Sequence, residues 1–197
     1  LQAGGTKVVS ILRMYPWCVD NGIIPDYVVS LDCSEDQAEG FSRKVPGVIY
    51  LFASVTNPSF FDKVEGEKIY IFDSRDDRKI QDLRRAAGYN QCSVVNGGGS
   101  VAICSLSLAF NIGFRDLHIF GLDCMAPSLD NTHAKGIAGT SLGIRALPIT
   151  IRDKEIITTG AWLQFANQAL DLFSVAHEEK VLDSVKVYGE SLINYLW

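Results

Sequence analysis

Cys92-Ser-Val-Val-Asn-Gly-Gly-Gly-Ser-Val-Ala-Ile-Cys-Ser-Leu-Ser-Leu-Ala-Phe-Asn-Ile-Gly-Phe-Arg-Asp-Leu-His-Ile-Phe-Gly-Leu-Asp123 is the stretch whose reading decides the fold. A short apolar run enters Asn96-Gly97-Gly98-Gly99-Ser100, a helix with apolar residues on every face follows, and a second apolar run stops at Gly121-Leu122-Asp123. Strand, helix and strand in that order make a βαβ unit, and the right-handed crossover rule predicts that its two strands are parallel neighbours. Three glycines let the backbone turn tightly from strand to helix. They leave bare N–H groups at the positive end of the helix dipole, where a phosphate or another anion can bind. The same glycines have a purely structural reading, close packing of helix on sheet.

Working outward, three apolar strands each finish on an aspartate: Tyr27-Val-Val-Ser-Leu at Asp32, Lys68-Ile-Tyr-Ile-Phe at Asp73, and Leu117-His-Ile-Phe-Gly-Leu at Asp123. In a parallel sheet these carboxylates share the carboxyl edge, where open α/β folds bind ligands. The alternative is that each Asp simply opens a loop or caps a helix. Three on one edge favour a crevice for a metal, a ribose or a cationic group.

The remaining pattern fits one α/β domain over 1–197, a Rossmann-like, mostly parallel sheet flanked by helices. Lys7–Leu12 and Gly47–Phe52 read as strands, and a helical turn lies around Pro16. Ser34–Lys44 reads as a polar helix capped by Ser34, and Asn57-Pro58 opens a short helix. Arg78–Ala87 is a charged helix stopped by Gly88. From Cys124 to Ala146 there is no period, only Pro, Ser, Asn, Thr, His, Lys and Gly among the rest, the texture of a long binding loop or lid. Leu147–Thr159 reads as a β-hairpin turning at Arg152-Asp153-Lys154, Gly160–Lys180 as an amphipathic helix, Val185–Tyr188 as a last strand and Ser191–Trp197 as a closing turn.

Composition narrows the classes of function. The 197 residues carry a net charge of −5, with no run of Lys or Arg that would make a nucleic-acid face. The longest apolar run, from Val101 to Phe110 and a little beyond, is short of the ~20 residues that cross a bilayer, so no membrane span is expected. Five cysteines, at 18, 33, 92, 104 and 124, form no CxxC pair. Their odd number, and the apolar runs that hold several of them, suit reduced thiols in a cytoplasmic protein. The chain starts at Leu1 without a signal-peptide pattern, and sequence upstream of it is expected to be missing.

The glycine turn is neither a Walker A loop, since no Gly-Lys-Ser/Thr follows, nor a full GxGxxG fingerprint, since no glycine stands three places after Gly99. Among the three histidines, His133 in Asp130-Asn-Thr-His-Ala-Lys135 is the catalytic candidate. An imidazole there can act as general acid or base near neutral pH, or bind a phosphate oxygen when protonated. His118 reads as a core residue and His177 as a solvated one.

The pattern of Gly22-Ile-Ile-Pro-Asp26, a strand to Asp32, Asn96-Gly-Gly-Gly-Ser-Val-Ala102, Phe120-Gly-Leu-Asp123 and Thr132-His133-Ala134 resembles the 6-hydroxymethylpterin diphosphokinase MptE-like family. That family includes the motility-associated factors of flagellin glycosylation, and its fold is similar to that of bacterial lipooligosaccharide sialyltransferases. Thr158-Thr159 and the helix after them resemble its downstream segment. The resemblance implies a nucleotide-activated donor, either ATP giving diphosphate to a pterin alcohol with Mg²⁺ or a CMP-sugar giving a nonulosonic acid. It implies that Asp32 and Asp123 face the nucleotide or metal. Gly97, Gly98 and Gly99, between Asn96 and Ser100, would line the phosphates, and His133 would stand near the reacting centre. Two features depart from the family. No Gly-x-Gly-Pro-Ser loop follows the first strand, and the acidic Asp-Leu-Asp-Gly cluster is reduced to Leu31-Asp32-Cys33.

The expectation is therefore a transferase of the glycosyl or diphosphate type. His133 and Asp123 are its catalytic residues, and Asn96, Gly97, Gly98, Gly99, Ser100 and Asp32 hold its nucleotide. Mg²⁺ would sit on Asp32 and Asp123. Its partners are the activated donor and an acceptor, with room for a homo-oligomer. The alternative is a non-catalytic nucleotide- or sugar-binding module, which the missing first glycine loop would suit.

Overall fold

The computed structural model describes residues 5–35, 41, 44–74, 78–88, 94, 95, 97–126, 128 and 146–197. They form two compact units, Leu1–Gly97 and Gly98–Trp197, divided inside the triple glycine.

The first unit carries β1 (Val9–Ile11), a 3-10 turn (Leu12–Met14), α1 (Tyr15–Asp20), β2 (Tyr27–Ser30), β3 (Ile49–Ala53), α2 (Ser59–Lys63), β4 (Lys68–Phe72) and α3 (Arg78–Ala86). Its four strands are parallel and ordered β1-β2-β3-β4, with Val28 opposite Tyr50 and Tyr50 opposite Ile69. Val94 continues the pattern through a parallel bridge to Asp73. Val28, Val29, Tyr50, Leu51, Phe52 and Ala53 are all buried, which is why β2 and β3 read as unbroken apolar runs: a parallel sheet covered on both faces has no polar side. On one face Val28, Tyr50 and Phe52 pack with Tyr15, Val19, Phe41, Phe60 and Val64. The rings interlock, Tyr15 stacked on Phe41 at 5.4 Å and Phe52 edge-on to Phe61 at 5.2 Å. Asn57 Oδ1 accepts from the Ser59 N–H at 3.0 Å and hydroxyl at 2.8 Å, setting the turn that starts α2.

The second unit carries α4 (Val101–Ile112), β5 (Asp116–Phe120), β6 (Leu147–Ile151), β7 (Lys154–Thr158), α5 (Gly160–Glu178), β8 (Ser184–Tyr188) and α6 (Leu192–Leu196). β5 and β8 are parallel, Leu117 opposite Val185, and β6 and β7 form the expected antiparallel hairpin. Its two turn residues, Arg152 and Asp153, have φ of 49° and 64°, the signature of a type I′ turn, the form that matches strand twist. Ile103, Leu106, Leu117, Ile156, Ala166, Phe173, Leu192 and Ile193 make the core. α4 ends at Gly113, φ 105°, whose N–H and that of Phe114 take up carbonyls of the last turn.

The α/β, Rossmann-like class and mostly parallel pairing are those expected, and no helix among the described residues is long and apolar enough to cross a membrane. One expectation changes. Ser191–Trp197 is more than a turn, because Ser191 Oγ caps a helical segment by accepting from the Ile193 N–H. Most of the strand expected before the glycines lies outside the described residues. Most of the segments expected as a polar helix at 34–44 and a long loop at 124–146 lies outside the described residues.

Candidate functional site

In the first unit the candidate groups stand where β2, β3 and β4 end. Just past β2, the Asp32 backbone is held from two sides: its N–H donates to Ser30 Oγ at 3.2 Å and its carbonyl accepts from the Asn57 N–H at 3.0 Å. Asp32 Oδ1 accepts from the Ser34 N–H at 2.9 Å and the Ser34 hydroxyl at 2.7 Å. That is an Asx turn, the local role the sequence offered as the alternative to ligand binding. Ser34 stands directly before the helical residue Glu35, the position expected of a cap, and its hydroxyl donates to Asp32.

Asp73, which the sequence marked only as a strand-ending aspartate, is the buried carboxylate of this edge, 3% exposed. Its Oδ1 accepts from the exposed Ser54 hydroxyl at 2.5 Å, and its carbonyl accepts from the Val95 N–H at 2.7 Å. Gly97 lies close by, and a Cβ on it would meet Ser74 Cβ and the Ser74 carbonyl oxygen at 2.9 Å. Strand order runs β1 to β4 without reversal, so the four-stranded sheet holds no switch point of its own.

In the second unit the glycine turn leads into α4. Ser100 is its N-cap, Oγ accepting from the Ile103 N–H at 3.3 Å. The Gly99 N–H, expected to be bare, donates to Gln168 Oε1 on α5 at 2.8 Å. A Cβ at Gly99 would meet Phe165 Cε1 at 2.6 Å, and one at Gly98 (φ 54°) would meet Ile103 Cγ2 at 2.5 Å. Close packing against α5 and α4 therefore explains these two glycines without a ligand, and a carboxamide oxygen stands at the Gly99 amide.

Asp123 follows β5 as an exposed residue overall, and partial desolvation of its carboxyl raises its pKa above the ordinary value. Next to it Cys124 is buried with φ 53°, its thiol pushed up to about 12 by burial and, secondarily, by the Asp123 charge. Cys104 in α4 is also buried and pushed up to about 12, so both thiols behave as small apolar groups, as their settings predicted. Asn96 and His133 lie outside the described residues, as do Asp130 and Lys135. His177 is exposed, as expected. His118 is not the core residue expected: it is exposed on β5, Nδ1 at 2.7 Å from the Tyr188 hydroxyl, with its ring stacked on that of Tyr188 at 5.6 Å. Alternation along β5 buries Leu117 and turns His118 outward, which overall apolarity of the run could not reveal.

No three of His, Cys, Asp and Glu gather into a metal cage among the described residues. Mg²⁺ on a nucleotide takes most of its ligands from phosphates and water and needs one or two carboxylates from the protein.

A family model described as 6-hydroxymethylpterin diphosphokinase MptE-like matches residues 4–128 of the 197. The chain belongs to the MptE-like family. The match covers the parallel sheet, the glycine turn, α4, β5 and Asp123, and stops before the hairpin, α5 and β8. The family's name is that of a diphosphokinase, which suggests a transferase of the kinase type. A search of curated proteins and one of solved structures each found no match.

Proposed function

We propose that this chain is a transferase acting on a nucleotide-activated donor, transferring either a diphosphate or a glycosyl group. The observation that carries the reading is the family match, which runs through the glycine turn and ends just past Asp123. Two further features support it. Ser100 leaves the positive end of a twelve-residue helix next to the glycines, a fit for donor phosphates. The match also takes in Asp123, an exposed carboxylate just past β5 that can accept a proton from an acceptor hydroxyl.

In diphosphate transfer the acceptor hydroxyl oxygen bonds the β-phosphorus of ATP, the bond to the α-phosphate oxygen breaks, AMP leaves, and the hydroxyl proton passes to a base. Asp123 or His133 would take that proton. Gly97, Gly98 and Gly99, with Asn96 and Ser100, would face the phosphates. Mg²⁺, when bound, would offset phosphate charge and take a carboxylate from the protein, Asp32 and Asp123 being the two candidates.

One observation favours a second reading, a nucleotide- or sugar-binding module without turnover. The Gly99 amide already donates to Gln168, so a phosphate must displace that carboxamide. A thermal-shift screen with CMP, CDP, UDP, GDP, ADP and ATP, each with and without Mg²⁺, tests both. A nucleotide at about 100 times its Kd adds roughly 2.7 kcal/mol, a rise of several degrees at this size. Stabilisation by ATP or ADP only with Mg²⁺ supports diphosphate transfer, and by CMP without metal supports glycosyl transfer. Stabilisation without turnover of any acceptor supports the binding module, and no shift with any nucleotide removes the transferase reading.

A further inference from the structure

We propose that Thr158 and Ser191, both outside the family-matched segment, are positioning residues that lock the backbone of Leu122–Cys124 so that the Asp123 carboxylate is presented from a single conformation. The inference rests on the reading of Asp123 as a group of the transfer site.

Three consecutive carbonyls leave β5, and each is taken by a different donor. Leu122 O accepts from Ser191 Oγ at 2.8 Å, Asp123 O from the Leu192 N–H at 2.8 Å, and Cys124 O from Thr158 Oγ1 at 2.7 Å. Two residues further on, the Ala126 N–H donates to Ile157 O at 2.8 Å. The donors come from two separate elements, the end of β7 and the start of α6. Ser191 is 0% and Thr158 1% exposed, so water does not compete for these bonds. Asp123, by contrast, is exposed at the surface of this buried frame.

Cys124 supplies an independent sign. Its φ of 53° is left-handed, a conformation disfavoured for any residue with a Cβ, and it carries no glycine to relieve it. Such a residue persists only where its surroundings over-determine it, and strain of this kind gathers at functional sites.

The test uses the full chain with four variants: Thr158→Val, Thr158→Ser, Asp123→Asn and the double variant D123N/T158V. The amide-to-Hα coupling of Cys124 reports its φ by NMR, and the thermal shifts given by CMP and by ADP, with Mg²⁺, report the site. T158V is expected to lose the left-handed coupling of Cys124 and most of the nucleotide-induced shift, while T158S keeps both. In the D123N background T158V should remove nothing more, because a positioning residue acts through the group it positions. A T158V chain with wild-type coupling and wild-type shift overturns the proposal, and so do losses from T158V and D123N that simply add. Should T158V fail to fold, hydrogen exchange on the wild-type chain decides. A Leu192 amide as protected as those of α5 supports the lock, and one exchanging like a surface amide sinks it. If neither nucleotide shifts the wild-type chain while T158V still releases Cys124, the transferase reading falls and the lock stands.

Discussion

Individual residues show how the same amino acid serves opposite ends. Gly97 and Gly99 are the first and third of three consecutive glycines, yet their surroundings differ. A methyl at Gly97 meets the backbone carbonyl of Ser74, whereas one at Gly99 meets the rim of the Phe165 ring and the Gln168 carboxamide that accepts from the Gly99 N–H. Gly97→Ala and Gly99→Ala should therefore each cost about 1–3 kcal/mol, compared by urea midpoints. Two aspartates pull stability in opposite directions with pH. Burial raises the Asp123 pKa, so the folded chain binds more protons there and stability falls as pH rises from the ordinary carboxylate value through the raised one. Burial opposes ionisation of Asp26 as well, but the Lys7 ammonium at 2.8 Å and the Val8 N–H at 2.9 Å outweigh it and lower the pKa. Its contribution is present above the ordinary value and is lost as pH falls through the depressed one. Asp123→Asn should flatten the first trend and Asp26→Asn the second, as read from urea midpoints across the acid range.

At the scale of elements, strands and helices were legible wherever a period or an apolar run carried the signal. β2 and β3 announced themselves as unbroken apolar runs, α5 as an amphipathic helix, and the β6–β7 hairpin as two apolar strands around Arg152-Asp153. The turn residues are the weak part of that hairpin: a type I′ turn favours Asn-Gly, and here Arg and Asp hold positive φ. Replacing Arg152-Asp153 by Asn-Gly should stabilise the chain by about 0.5–2 kcal/mol, visible as a rise in Tm. Less legible was the use made of the glycine turn. Its amides looked bare, and one is occupied by Gln168, 69 residues away. That outcome depends on a partner that only folding brings near.

For the molecule as a whole, the family reading makes His133 and Asp123 the groups to remove. His133→Ala should lower turnover by roughly 10²- to 10⁴-fold while the far-ultraviolet circular dichroism and Tm stay as in the unmodified chain. Equal turnover in that variant removes His133 from the chemistry and leaves Asp123 as the acid–base group. The family match covers 4–128, yet the donors that hold the Asp123 loop come from Thr158, Ser191 and Leu192.

The sequence by itself determined the α/β class, the mostly parallel pairing, the glycine turn into a buried helix and the carboxylates that close the strands. These follow from hydrophobic period, glycine spacing and strand ends, all of them local properties. Tertiary structure alone decided that Asp73 is buried with Ser54 on its carboxylate, that His118 faces outward, and that three carbonyls around Asp123 are anchored. Burial and hydrogen-bond partnership at these positions come from residues far along the chain, and no local pattern encodes which of them will meet.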